Sequence, residues 1–277
     1  MIDLHLHTTA SDGRLTPTAL VGRVAGVGIR VLAITDHDTT DGIEEAAAEA
    51  DRHGVLLIPG IEITAVDRGR DVHVLGYFFD RRESELARFL VAQRTTRIQR
   101  IAEMAARLEQ LGLPVDVGPI LDAAQRHNSK SIGRPRLARA MIDAGYVATT
   151  REAFDTWLGQ GRPAFVERTG PSPRAVIDIV HRARGIVSLA HPGRTRIDDQ
   201  IPALRDAGLD ALEAYHSDHD ASASKFYVAM AERLGLLVTG GSDFHGDPSH
   251  GVEPGAATLP EREWTMLLGA SGKHGRQ

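Results

Sequence analysis

The first apolar run of the chain reads Asp3-Leu4-His5-Leu6-His7. In an extended strand successive side chains alternate faces, so His5 and His7 point the same way. Two imidazoles at that spacing can chelate one metal ion, and the C-terminal ends of strands are where α/β barrels place their chemistry. The placement recurs in Ile34-Thr35-Asp36-His37-Asp38, Pro59-Gly60-Ile61-Glu62, Asp71-Val72-His73-Val74, Leu189-Ala190-His191-Pro192-Gly193 and Gly240-Gly241-Ser242-Asp243-Phe244-His245. A single histidine of this kind is commonly a hydrogen-bonded core residue. Burying so many ionisable groups together would cost several kcal/mol per charge unless a cation compensated them. The chain has no cysteine, which excludes disulfides, thiolate zinc sites, iron-sulfur clusters and cysteine nucleophiles. Any metal must therefore sit on nitrogen and oxygen.

Clustered divalent cations suit the hydrolysis of phosphate esters, which are anionic and expel a poor alkoxide. The cations neutralise the ester oxygens, lower the pKa of a bound water from about 15.7 towards ~7 and stabilise the departing oxygen. The expected reaction is in-line attack on phosphorus by a metal-bridging hydroxide. Mn, Fe, Zn and Mg all suit such ligands, and the ligand types alone do not choose among them.

These residues need a scaffold that gathers strand ends. β-Branched or aliphatic runs at Ile2–Leu6, Val31–Thr35, Val55–Glu62, Val72–Phe79, Ile186–Ala190, Ala211–Tyr215 and Leu236–Thr239 predict buried strands. Helical patterns at Pro17–Val27, Ile43–His53 and Arg174–Arg184 each end before a glycine. Repeated βα units predict a parallel sheet or barrel. The rhythm breaks between Arg81 and about Pro171, where Glu85–Leu111, Leu121–His127, Arg134–Ala144 and Thr150–Leu158 predict helices. Residues 81–171 thus read as a helical insertion, a cap between barrel parts at 1–80 and 172–277, and Gly269–Gln277 as a frayed tail.

The net charge of −5 is unevenly spread over the 277 residues. Arg81 to Gly170 holds 15 Lys or Arg and 10 Asp or Glu, leaving 17 of the chain's 32 and 27 of its 37 elsewhere. Most arginines of this basic segment are expected on solvated helix faces. No apolar stretch approaches the ~20 residues of a membrane span, and no leader pattern opens the chain, so a cytoplasmic protein without a membrane partner is expected.

The motifs DLHLH, ITDHD, PGIE, LAHPG and GSDFH, in this order, closely resemble those of the PHP phosphoesterases. DLHLHTTASDG and GRPRLARAM are most similar to the branch containing 3′,5′-nucleoside bisphosphate phosphatases and 5′-to-3′ exoribonucleases. The resemblance implies an α/β fold, a distorted seven-stranded (β/α) TIM-like barrel holding three divalent metals. Position by position, it implies His5, His7, Glu62 and Asp243 on the first metal, with Glu62 bridging to a second metal held by His73 and His191. Asp12, His37 and His245 would hold the third, although Ser11-Asp12-Gly13 is also a plain turn signature. Glu62, His191, Asp243 and His245 would face the reacting phosphate. Asp3 and Asp36 are expected to accept hydrogen bonds from ligand imidazoles and fix their tautomers.

The substrate side is expected in Lys130-Ser131-Ile132-Gly133-Arg134-Pro135-Arg136, a turn into a helix starting near Arg136 whose N-terminus could receive phosphate. Arg134 is the expected clamp for a second phosphate, because guanidinium binds phosphate oxygens bidentately, with Lys130 and Ser131 beside it. Glu213, His216 and His219 are further candidates for touching substrate. His53, His127, His181, His250 and His274 read as surface residues.

The expected function is release of the 3′-phosphate from 3′,5′-nucleoside bisphosphates, with 5′-to-3′ degradation of short single-stranded RNA as a further activity. Histidinol-phosphate phosphatases are the nearest alternative, sharing the barrel and much of the ligand set; the basic insertion favours a substrate with more than one phosphate. Metallo-amidohydrolases also open with H-x-H, but often bridge their metals with a carboxylated strand lysine. Here the only lysines are Lys130, Lys225 and Lys273, none in a predicted strand. With 5% aromatic residues and no basic aromatic strand pattern, a non-enzymatic module forming a stable complex with duplex nucleic acid is not expected.

Overall fold

The computed structural model describes residues 1–126, 131–247 and 251–274. Every predicted run forms a strand: β1 (Ile2–Leu6), β2 (Val31–Ile34), β3 (Leu56–Asp67), β4 (Arg70–Tyr77), β5 (Ile186–Leu189), β6 (Ala211–His216) and β7 (Leu237–Gly241). They form one sheet in sequence order. Beyond β7 the chain pairs with β1: the Asp243 amide donates to the His5 carbonyl (2.9 Å) and the His7 amide to the Phe244 carbonyl (3.0 Å). These bonds curl the sheet into a seven-stranded barrel.

The sheet is not wholly parallel, which corrects the expectation from the βα rhythm. β4 runs antiparallel to both β3 and β5, whereas β1–β2–β3 and β5–β6–β7 pair in parallel. Only Arg68 and Gly69 separate β3 from β4, too few for a crossover helix. Both have positive φ, 48° and 75°, the backbone that matches a two-residue loop to the twist of a hairpin. The reversal serves the site. Because β4 runs backwards, its beginning, with His73, lies at the barrel end where the parallel strands finish.

Helices cover the barrel. α1 (Pro17–Gly26) starts where Thr16 Oγ1 accepts from the Ala19 amide (3.1 Å) with Pro17 in the first turn. α2 (Gly42–His53) stops at Gly54, φ 63°. Leu20, Val21 and Val24 of α1 and Ala46 and Ala50 of α2 pack with Leu6, Leu32 and Ile34 in one cluster. A larger cluster takes Leu4, Ile61, Ile63, Val74 and Leu212 from the strands. Each such buried side chain stabilises the fold by about 1.5–3 kcal/mol relative to exposure.

Between β4 and β5 lie α3 (Ser84–Gln110), α4 (Gly118–Arg126), α5 (Arg134–Asp143), α6 (Thr150–Ala153), which runs into a π-turn at Phe154–Leu158, and α7 (Pro173–Arg182). Ile101, Met104, Leu108, Leu137, Met141 and Leu158 form a cluster with no strand residue in it. After β5 come α8 (Pro192–Thr195) and α9 (Ile201–Asp206), then α10 (Ala221–Leu234) and α11 (Glu261–His274). α11 therefore continues past Gly269 to His274, with buried Trp264 and Leu267 packing it on the barrel, and the rest of the expected frayed tail, 275–277, lies outside the described residues. No helix among the described residues is long and apolar enough to cross a membrane.

Candidate metal and phosphate site

Histidines and carboxylates from six strands and their loops meet at the barrel end described above. Glu62 is at the centre, buried to 1% exposure. Its Oε2 lies 3.3 Å from His5 Nε2, 3.2 Å from His7 Nε2 and 3.1 Å from His37 Nδ1. Its Oε1 lies 2.7 Å from His73 Nδ1 and 3.1 Å from His191 Nε2. Asp243 Oδ1 faces the same pair of imidazoles, 3.3 Å from His5 Nε2 and 3.1 Å from His7 Nε2. Asp12 stands on the far side of His7, 3.3 Å from His245 Nε2, 3.7 Å from His37 Nε2 and 3.9 Å from His7 Nδ1.

These groups fit metal ions. Ligands held at ~2.0–2.2 Å from one cation stand roughly 3.0–3.5 Å from one another, the spacing of His5, His7, Glu62 and Asp243. Among the described residues His5 Nε2, both ring nitrogens of His7, His37 Nδ1, His191 Nδ1 and Glu62 Oε2 are buried without a hydrogen bond. Orphaned buried polar atoms are rare in folded proteins unless water or an ion completes them. The charges agree. Burial pushes the Glu62 carboxyl up, but His37, His73 and His5 outweigh it and hold the carboxyl well below its usual range. Burial opposes charge on His7, yet Asp243 and Glu62 push it up to about 10. Such carboxylates stay ionised and draw positive charge inward.

Glu213 supports this cluster rather than facing a substrate. It is fully buried; its Oε1 accepts from His5 Nδ1 (2.8 Å) and its Oε2 from the His191 amide (2.8 Å). Taking the Nδ1 proton leaves the Nε2 lone pair of His5 turned inward. His216 is buried too: its Nδ1 accepts from the Asp218 amide (3.0 Å), so Nε2 carries the proton and donates to Asp243 Oδ2 (3.3 Å). Both depart from the expected substrate contacts, because their side chains are buried among the groups around His5 and Asp243 and do not line the cavity. His219 holds the loop beyond His191, accepting from the Gly193 amide (3.2 Å).

Asp3 and Asp36 also differ from expectation. Among the described residues neither accepts from an imidazole. Asp3 takes the amides of His5 (3.3 Å), Ser242 (2.9 Å) and Gly255 (2.9 Å), and Asp36 takes the Thr8 amide (2.7 Å), Thr8 Oγ1 (2.6 Å) and Ser11 Oγ (2.5 Å). They fix the loops beside His5, His7 and Asp243 through backbone amides and, for Asp36, the hydroxyls of Thr8 and Ser11. His181 is half-buried on Asp210 (2.8 Å) rather than free at the surface. His53 is exposed, as expected, beside Glu49. Lys130, His127, His250 and the side chain of His274 lie outside the described residues.

Above the cluster opens a cavity of about 1090 Å³ lined by Glu62, His73, His191, Asp243 and His245 on one side and by Arg97, Arg100, Arg134, Arg136 and Arg168 on the other. α5 begins at Arg134, as the helical pattern of Arg134–Ala144 predicts and two residues before the start placed at Arg136. Arg134 pairs with Asp71 (3.2 Å) and lies over the Phe154 ring at 5.4 Å. Ser131 is buried, its amide bonded to the Ala10 carbonyl (3.0 Å), and is not part of the cavity wall.

Arg97, Arg100 and Arg168 carry no sequence motif marking them as site residues, and their burial sets them apart from the exposed Arg81, Arg82, Arg88, Arg107, Arg139, Arg151 and Arg162 of the same segment. Arg97 donates to Asp38 Oδ2 (2.5 Å), Thr64 Oγ1 (2.8 Å) and the Ile132 carbonyl (3.4 Å). Arg168 approaches only Asp38 (3.7 Å) and Asp71 (3.8 Å) among the described residues. Its burial and then the neighbouring Arg97 push its pKa down to about 9. With Arg134, four guanidiniums share the two carboxylates Asp38 and Asp71, leaving this wall cationic. A signal existed in α3: the buried stripe of Leu86, Leu90, Met104 and Leu108 continues through Gln93, Arg97 and Arg100. Cations within an apolar stripe imply a buried counter-charge or a ligand.

The PHP domain matches residues 3–146. Over 261 residues the chain is 34% identical to the 3′,5′-nucleoside bisphosphate phosphatase of Chromobacterium violaceum, covering 92% of this chain and 90% of that protein. It is equally 34% identical to the 5′-3′ exoribonuclease of Haemophilus influenzae, covering 88% and 89%. The crystal structure of a protein from Bifidobacterium adolescentis, predicted to be a metal-dependent phosphoesterase, superposes with a TM-score of 0.88 at 33% identity, covering 97% and 95% of the two chains.

Proposed function

Since the chain belongs to the PHP family of metal-dependent phosphoesterases, we propose that it releases the 3′-phosphate of 3′,5′-nucleoside bisphosphates and leaves the 5′-nucleotide. The observation that carries this reading is the pairing, in one cavity, of a carboxylate-imidazole cluster with a wall of partly unmatched arginines. A substrate with two phosphates can fill both. The violaceum relative at 34% identity supports the same substrate.

In this reading His5, His7, Glu62 and Asp243 hold one ion, Glu62, His73 and His191 a second, and Asp12, His37 and His245 a third. His37 turns Nδ1 to Glu62 and Nε2 to Asp12, so it stands between the second and third groups. Bound divalent ions, Mn first among them, supply charge neutralisation and an acidified water. The residues supply the rest. Glu213 and His216 orient His5 and Asp243, while Glu62, His191, Asp243 and His245 border the phosphoryl group to be cut. Arg134 and Arg168 receive the phosphate that is kept, and the helical segment 81–171 acts as the cap that carries Arg134. Hydrolysis breaks the bond from phosphorus to O3′ and returns a proton to O3′.

The test is hydrolysis of adenosine 3′,5′-bisphosphate by the Mn-loaded protein, compared with 5′-AMP, histidinol phosphate and a short 5′-phosphorylated RNA. 5′-AMP and inorganic phosphate are the expected products, and preference for histidinol phosphate would overturn the substrate. Stepwise shortening of RNA from its 5′ end is a second reading, favoured by the influenzae relative. Arg134→Ala is expected to raise KM for the bisphosphate about 10- to 100-fold, the effect of losing a charged hydrogen bond of ~1.5–3 kcal/mol. Equal loss on a simple monophosphate ester would sink the clamp.

A further inference from the structure

We propose that Arg136 is a positioning residue for the Asp12 metal site: it grips the Asp12 loop from the helical segment and sets how tightly that site holds its ion. The inference rests on the reading of Asp12, His37 and His245 as ligands. The loop follows His7 and must present Asp12 to His245 and His37. From within the barrel it is tied at Thr8 and Ser11 by Asp36 and at Arg14, whose amide donates to the His245 carbonyl (2.8 Å).

Its three consecutive carbonyls before Asp12 are satisfied from outside the barrel. Arg136 Nη2 donates to Thr9 (3.2 Å) and Ser11 (2.6 Å), and Arg136 Nε also donates to Ser11 (3.1 Å). The Ser131 amide donates to Ala10 (3.0 Å). A planar guanidinium spans two carbonyls at once, which a lysine ammonium on a flexible stem does less well. The Asp12 contacts, 3.3 to 3.9 Å, are looser than the 3.1 to 3.3 Å within the Asp243 group. A loosely gathered site depends more on the loop that delivers its carboxylate. Arg134 and Arg136 stand two residues apart in the first turn of α5, so one turn lines the substrate cavity and also braces a metal ligand.

The test reads metal content as well as turnover. After Mn loading and dialysis, Arg136→Ala and Arg136→Gln are expected to lose the share of Mn that Asp12→Ala loses, with the remaining ions kept. The Mn concentration that refills the site should rise about 10- to 100-fold, the usual effect of removing a residue that supports a ligand. Excess Mn should restore the content of the Arg136 variants, not of Asp12→Ala. The Tm deficit of the variants should be larger with Mn than without it, since ions stabilise only the state that binds them. Unchanged Mn affinity in both variants would overturn the proposal, as would loss of every ion together or an equal Tm deficit in metal-free protein. Full Mn content in Asp12→Ala would remove Asp12 from the ligands, and the role of Arg136 with it.

Discussion

Glu62→Ala is expected to lower kcat/KM on any phosphate ester by at least 10³- to 10⁴-fold, and to leave at most the ion at Asp12. The magnitude follows from the several kcal/mol of charge stabilisation that bound metals contribute, at about 1.4 kcal/mol per decade. No other side chain among the described residues touches as many of these rings: His5, His7 and His37 meet its Oε2, and His73 and His191 meet its Oε1. Without that carboxylate, the two ions assigned to it in the proposed reading would lose their shared anion, and five imidazoles would lose the group they face. Glu62→Gln keeps the shape, removes the charge and points an amide donor at the ligands, so it should fail nearly as badly. Elemental analysis and turnover on the same preparations check both. Wild-type metal content in Glu62→Ala, or turnover within tenfold of wild type, would show that Glu62 does not bridge.

The strands and the clustered histidines and carboxylates are legible in the sequence because each leaves a local trace. A buried strand requires apolar alternation, and an interior ligand must interrupt it, as His5 and His7 do on β1. Direction leaves no such trace: period-two alternation reads alike both ways, and Arg68-Gly69 lacks the Asn-Gly signature of a two-residue hairpin. The βα rhythm therefore predicts β4 parallel, whereas His73, expected at this site from its strand, does lie there beside Glu62. Glu213 was misjudged for a related reason. Its neighbours Tyr215 to His219 look like a polar loop, and only the closed barrel shows that the carboxylate faces His5. The arginines of α3 were hidden by their own frequency in a basic segment, since one solvated arginine and one buried against Asp38 look the same until the helical and barrel residues meet. Contacts between elements leave no local trace at either separation: Ser11 and Asp36 lie 25 residues apart and Arg136 and Ser11 lie 125 apart, and neither contact can be read from spacing.

Barrel closure gives the second large expected effect. Gly241→Ala should unfold the metal-free protein at a Tm lower by roughly 6 to 12 °C, from a destabilisation of about 3 kcal/mol or more. A Cβ at residue 241 would stand 2.5 Å from His5 Cβ and 2.8 Å from Asp3 Oδ1, and closer still to the His5 amide nitrogen. Backbone atoms cannot swing aside as a side chain can, so β7 and β1 must separate. Asp3 would then lose its hold on Ser242, and the Asp243 amide its bond to the His5 carbonyl. The same shift pulls His5 and Asp243 apart, so the variant should also bind its first ion more weakly, even at temperatures where it stays folded. Gly22→Ala is the contrast. A Cβ at residue 22 meets nothing within 4 Å, and α1 gains a better helix former, so that variant should be more stable by ~0.5–1 kcal/mol with unchanged Mn content. If Gly241→Ala instead melts with wild type and retains its Mn, the seam between β7 and β1 is not what holds His5 and Asp243 together.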